Sequence, residues 1–360
     1  MTRPAKVIID LAALRHNFSR VQQIASGAKV MAVVKADAYG HGLERVALTL
    51  SDADAFGVAC LEEAEQLREA NIKQTIVLLE GPYCASELKQ IESLGLDIVV
   101  HDVSQVALLE QASINSPLKV WLKVDSGMHR LGFEPADLPS MWQRLQACPA
   151  VLNDFILMTH LATANEANSP MVQTQMQDFG RACAGYSAER SIANSAAIVA
   201  SADYHADWVR PGLMLYGVSP MQDSVASDHD LKPVMSLISQ LISVKKLKKG
   251  EPVGYGASWH CPSDTIIGIV AAGYGDGFPR HAKSGTPTLV NGQRASIIGF
   301  ASMDMLTVDL SAQPHAKVGD PVELWGENLS IEEVAVYADT VPYELLCGVH
   351  KRLAFIEKNG

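Results

Sequence analysis

The chain has 360 residues, 48% of them hydrophobic and 19% charged, which is enough for two domains with cores of their own. Its net charge of −11 argues against nucleic acid and anionic membranes as partners, and no apolar run reaches membrane-spanning length. The six cysteines fall at no CxxC or zinc spacing, and Asp10 breaks the short apolar run of the N-terminus, so a reduced cytoplasmic protein is expected.

From Val30 to about Gly217, short apolar runs alternate with stretches of helical period. The runs are VMAVVK, AFGVAC, TIVLLE, DIVVHD, KVWLKVD, FILMTHL, RSIANS and DWVRPGLMLYG; LEEAEQLREA and VSQVALLEQA are two of the helices between them. Eight Val/Ile/Leu-rich strands separated by helices predict an α/β fold, a closed (β/α)8 TIM-type barrel, over residues 1–225. Most runs end on a residue with chemistry to offer: Lys35, His101, Lys123, His160, Asn194 and Arg210. In such a barrel the C-terminal strand ends share one rim, where active sites are built.

After about Met221 the rhythm changes. MQDSVASDHD is polar and reads as a linker or long loop, and the runs that follow it (MSLISQLISVKKL, TIIGIVAAGYG, ASIIGF, MLTVDL and PVELWG) are short and strand-like. Asn291-Gly292 in LVNGQRASIIG is a hairpin signal. A mostly antiparallel β domain is therefore predicted over residues 226–360.

Lys35 closes the first apolar run, in AVVKADAYGHG. A lysine stripped of water gains a neutral amine, which can act as a base or condense with a carbonyl, either a substrate's or that of pyridoxal phosphate (PLP). PLP also needs a phosphate site and a partner for its ring nitrogen. Tyr39, Asn194-Ser195 and Gly212-Leu213 offer the first, and Arg210 the second. Lys6, Lys29, Lys73 and the KKLKK run from Lys245 read as solvated surface, and His16, His129, His205 and His350 fall at no spacing that argues for a site.

AVVKADAYGHG closely resembles the PLP-binding signature of bacterial alanine racemases. WLKVDSGMHRLGF, THLATANE, IANSAAI, VRPGLMLYG, GYGASW, GYGDGFPR, SMDM and YELLCG resemble that family's blocks, in the family's order and nearly end to end. The resemblance implies a PLP-carrying barrel followed by a β domain, working as a homodimer with shared active sites. It further implies that the first ten or so residues, including VIID, pair with the β domain. By that similarity Lys35 holds PLP; Tyr39, Ser195, Gly212 and Leu213 hold its phosphate; Arg210 meets the ring nitrogen, with His160 behind it. Arg130 would touch the cofactor and the substrate carboxylate, and Lys123 would be carbamylated and pair with Arg130. Tyr255 would be the second base, from the other subunit, with Met303 binding the substrate carboxylate and Tyr274 and Arg280 lining the way in. Two bases suit racemisation, because one group cannot easily serve both faces of a planar α-carbon. The implied product is D-alanine for peptidoglycan.

Three positions depart from the family pattern. Asn165 stands where aspartate is common, Phe300 where arginine is usual, and Lys351 near where some members place a phosphate-capping tyrosine. The first two open the alternative of a serine or broader-specificity racemase. A metal-dependent barrel hydrolase would want a His-x-His on an early strand, which this chain lacks. A non-catalytic PLP protein of the same barrel type would lack the β domain and Tyr255.

Overall fold

The computed structural model describes residues 3–358 and divides into two compact units. One comprises Asn17–Leu215 and Pro220–Ser224. The other gathers the chain up to His16, Tyr216–Ser219 and everything from Val225 on. No helix among the described residues is long and apolar enough to cross a membrane.

β1 (Lys6–Asp10) belongs to the second unit. The next eight strands build the first: β2 (Lys29–Val33), β3 (Ala55–Val58), β4 (Thr75–Leu78), β5 (Asp97–Val100), β6 (Val120–Lys123), β7 (Ile156–Met158), β8 (Glu189–Asn194) and β9 (Trp208–Arg210). They pair in parallel in chain order, and β9 closes on β2 through Lys29↔Trp208 and Val30↔Val209. This is the expected eight-stranded barrel. β3 and β6 are buried along their whole length, as strands covered on both faces must be. Met31, Ala55, Val77, Val99, Trp121, Ile156, Met158 and Trp208 form one cluster, with the two indoles edge-on at 5.0 Å. Each indole N–H has a carboxylate acceptor: Trp121 donates to Asp97 at 3.0 Å and Trp208 to Glu189 at 2.6 Å.

In the second unit β10 (Met235–Leu247) is the central strand. It is followed by β11 (Pro252–Val253), β12 (Trp259–His260), β13 (Thr265–Val270), β14 (Pro287–Val290), β15 (Gln293–Ile297), β16 (Leu306–Asp309), β17 (Pro321–Trp325) and β18 (Ala354–Lys358). The sheet order is β13-β16-β15-β14-β17-β10-β1-β18, and β13 pairs again with β10, so the sheet bends back on itself. Every pairing in it is antiparallel except β1 with β18. β1 has the alternation its place demands, with Val7 and Ile9 wholly buried and their neighbours half-exposed. The β14–β15 hairpin turns at Asn291 and Gly292, both at positive φ (52° and 74°), the two-residue turn that Asn-Gly favours.

Candidate active site

Lys35 leaves the end of β2 and is followed by an unusual turn. Ala36, Asp37, Ala38 and Tyr39 lie at φ 56°, 54°, 53° and 53°, one turn of left-handed helix built without glycine. Such residues cost roughly 1–2 kcal/mol each, so the turn stands only because its surroundings hold it. The Ala38 amide donates to the Val34 carbonyl at 2.8 Å and the Gly40 amide to that of Ala36 at 3.0 Å. The Asp37 carboxylate accepts the Leu43 amide at 2.8 Å. Nδ1 of the wholly buried His41 lies 3.0 Å from the carbonyl oxygens of both Ala38 and Tyr39. Burial pushes this imidazole down to about 4, so it is neutral, and with two carbonyls facing Nδ1 that nitrogen carries the proton.

The turn brings the Tyr39 hydroxyl to the end of β9. A Cβ on Gly212 would lie 2.7 Å from that hydroxyl, so a larger residue would have to displace the tyrosine tip. The Gly212 amide donates to the Ser195 hydroxyl at 2.8 Å, and the Met214 amide reaches the same oxygen at 3.4 Å. Tyr39, Ser195 and Gly212 therefore converge on one corner, with Leu213 next in the chain, and the two hydroxyls suit a phosphate. Asn194 caps the helix Ser195–Ala200 by accepting the Ala197 amide at 3.0 Å. Its Nδ2 lies 3.4 Å from His160 Nε2, so it braces the corner from the side.

A register shift between Ser191 and Asn194 lets Asn194 pair with Arg210 across β8 and β9. The Arg210 guanidinium is fully buried and has no carboxylate partner among the described residues. Its Nη1 donates to the Ser191 hydroxyl at 2.6 Å, and Nη2 to the Thr159 and Ile192 carbonyls at 2.6 and 3.1 Å. Nη2 also lies 3.4 Å from His160 Nδ1. Burial lowers Arg210 to about 9, which leaves it charged at neutral pH. Burial first, and then the charges of Arg210, Arg130, Lys123 and Lys35, hold His160 well below the usual histidine range.

Lys123, at the end of β6, is buried, and no carboxylate among the described residues lies within ion-pairing distance of it. Burial, with Arg210, Arg130 and Lys35 adding to it, pushes this amine down to about 8. Lys35 itself is half-buried and Arg130 exposed. Four cationic side chains thus stand within electrostatic reach of one another, a set that suits an anionic cofactor and a carboxylate substrate. His101 lies close enough for the Lys123 charge to add to burial in lowering its imidazole, and its Nε2 is engaged by the Glu80 carbonyl at 3.0 Å.

Tyr255, Tyr274, Arg280 and Met303 lie on the β unit. Tyr255 is 70% and Met303 53% exposed, high values for large side chains on a folded surface. The Tyr274 turn is bonded to the Met303 turn through the Tyr274 amide to the Ser302 carbonyl (3.0 Å) and the Gly275 amide to the Met303 carbonyl (2.8 Å). The Arg280 guanidinium sits 5.5 Å above the ring of Phe300. Behind these turns the wholly buried Asp276 is clamped by Arg3 and by Arg352, whose Nε reaches it at 2.8 Å. Arg352 also pairs with Asp304 at 2.8 Å. Burial would raise the Asp276 carboxyl, but the bonds from Arg3, Gly273 and Arg352 bring it below its ordinary value. Sequence reasoning missed this clamp. Nor does the sequence pattern single out Glu63, His41 or Asp37 around Lys35; Glu63 reads there as one acid in the helical run LEEAEQLREA.

Comparison with known proteins matches both units. The family profile "Alanine racemase, N-terminal domain" covers residues 9–220 and "Alanine racemase, C-terminal domain" residues 234–356. The alanine racemase of Nitrosococcus oceani is 51% identical over 349 residues, 97% of this chain and 98% of that one. The crystal structure of the biosynthetic alanine racemase from Pseudomonas aeruginosa superposes with a TM-score of 0.97 at 47% identity, covering 99% of this chain and 100% of that one. An alanine racemase from Bartonella henselae, described as carrying covalently bound pyridoxal phosphate, superposes at 0.90 with 28% identity, covering 99% and 100%.

Proposed function

The chain belongs to the alanine racemase family, isomerases that interconvert L- and D-alanine, and from that premise we propose that it performs this reaction with PLP held on Lys35. The observation that carries the cofactor reading is the phosphate corner of Tyr39, Ser195 and Gly212, set beside cations that have no carboxylate partner among the described residues. When bound, PLP withdraws electrons from the amino acid's α-carbon and so acidifies its proton.

This chain's residues supply the rest. Tyr39, Ser195, Gly212 and Leu213 hold the phosphate. Arg210, kept in place by Ser191, Thr159 and Ile192 with His160 and Asn194 behind it, presents a guanidinium that keeps its own proton to the ring nitrogen. Arg130 takes the substrate carboxylate, and Lys123, carbamylated, would turn from a fourth cation into the partner that orients Arg130. Lys35 moves the α-proton on one face and Tyr255 of the partner subunit on the other, Lys35 serving D-alanine and Tyr255 L-alanine. Met303 completes the carboxylate site from the partner's β unit, and Tyr274 and Arg280 line the way in. A homodimer with two shared sites is the arrangement that gives the exposed Tyr255 and Met303 their use. The protein would work in the cytoplasm, making D-alanine for the cell wall.

Borohydride reduction of the loaded protein followed by peptide mapping should leave a pyridoxyl mass on Lys35. The same mass on Lys123 would overturn the assignment.

A further inference from the structure

Two carboxylate oxygens of one side chain bind two strand ends together at the lysine. Glu63 lies in the first turn of the helix Leu61–Glu69, and its Oε1 accepts the Ala36 amide at 2.7 Å while Oε2 accepts the Ala59 amide at 2.8 Å. Ala36 is the residue after Lys35 and opens the left-handed turn; Ala59 follows the end of β3. A backbone that enters a left-handed turn directly from a strand gives its first amide no carbonyl four residues upstream to bond. The amide after a parallel strand end is left over in the same way.

We propose that Glu63 is a positioning residue for Lys35: it anchors the left-handed turn at its first amide and thereby sets the direction of the lysine and the reach of Tyr39. The inference rests on the roles proposed above for those two side chains. The strain of four consecutive non-glycine residues at positive φ makes an anchor necessary, because a released turn would relax toward ordinary backbone angles and carry Lys35 with it. His41 braces the far end through the Ala38 and Tyr39 carbonyls, so the turn is held at both ends. The chemistry calls for a carboxylate. Glutamine offers one oxygen for two N–H donors and turns its own N–H toward the second, and aspartate is one methylene short of the span.

The test uses the full chain with Glu63→Ala, Glu63→Asp and Glu63→Gln. Amide hydrogen exchange on the cofactor-free protein should quicken about tenfold or more across residues 35–43 in Glu63→Ala, with the rest of the barrel unchanged. In the loaded protein kcat should fall on the order of 100-fold with KM little moved, as expected for a misplaced catalytic group. α-Proton exchange should be lost more from D-alanine than from L-alanine, a split that general loosening would not produce. Glu63→Gln should recover part of each effect. Unchanged exchange at residues 35–43 together with kcat within twofold of wild type would overturn the proposal. Exchange in the cofactor-free chain reads the anchor alone, and pyridoxyl mapping of the wild type reads the Lys35 assignment alone, so failure of one is distinguishable from failure of the other.

Discussion

Gly212 lies directly against the Tyr39 hydroxyl, close enough that a Cβ there would stand 2.7 Å from that oxygen. Its φ is not in the left-handed region, so alanine there would strain no backbone and would act by pushing the Tyr39 hydroxyl aside. Gly212→Ala should weaken PLP retention about tenfold with little change in melting temperature. In a Tyr39→Phe background the same substitution should cost less, because the oxygen it meets is gone. Titration of PLP into the four proteins checks this; strictly additive losses would show that the two positions do not act on one contact.

Lys123 should behave as a reactive amine. With its titration near 8, about a tenth of it is neutral at pH 7 and half at pH 8, and only the neutral form attacks carbon dioxide, releasing a proton as the carbamate forms. Racemisation should fall in carbonate-free buffer and return on adding bicarbonate, and 13C-bicarbonate should give a carbamate signal that Lys123→Met abolishes. In cofactor-free, uncarbamylated protein the folded pKa lies below the unfolded one. Stability should therefore climb as pH rises from about 8 to about 10, and Lys123→Met should add on the order of 3 kcal/mol at pH 7. A flat response in both assays would count against the reading.

The shared site predicts complementation. Lys35→Ala and Tyr255→Ala dimers should each be nearly inactive. Random exchange makes about half the dimers mixed, and each mixed dimer holds one intact site, so roughly a quarter of wild-type activity should return. No recovery, with subunit exchange confirmed by mass spectrometry, would place both bases on one chain.

Asp97 should make the barrel sensitive to pH. Burial raises its carboxyl to about 6, against the bond from Trp121. The folded pKa exceeds the unfolded one, so the folded state holds the proton longer and stability falls as pH rises from about 4 through about 6, by about 2 kcal/mol. Asp97→Asn keeps an acceptor for the indole N–H and should flatten that slope. Urea titrations at pH 4.5 and 7.5 measure it, and equal slopes in wild type and variant would exclude Asp97 as the cause.

The barrel and the β unit were legible in the amino-acid sequence, and so were the residue types that end the barrel strands. Each of these rests on a pattern local in the chain: continuous Val/Ile runs for strands covered on both faces, Asn291-Gly292 for the hairpin, and Lys35, Lys123, His160 and Arg210 at strand ends that topology must bring to one rim. How those residues are aimed depends on contacts that form only when the chain folds. Ala36-Asp37-Ala38-Tyr39 carries no glycine that would announce a left-handed turn; bonds within residues 34–43 hold its body, while its first amide goes to Glu63, 27 residues on, and its tyrosine hydroxyl lies against Gly212. Asp276 is held by Arg3, 273 positions away, and by Arg352, 76 positions away. A propensity reflects one residue and its near neighbours, whereas a strained turn or a buried carboxylate is stable only through partners that the folded chain alone brings within hydrogen-bond distance.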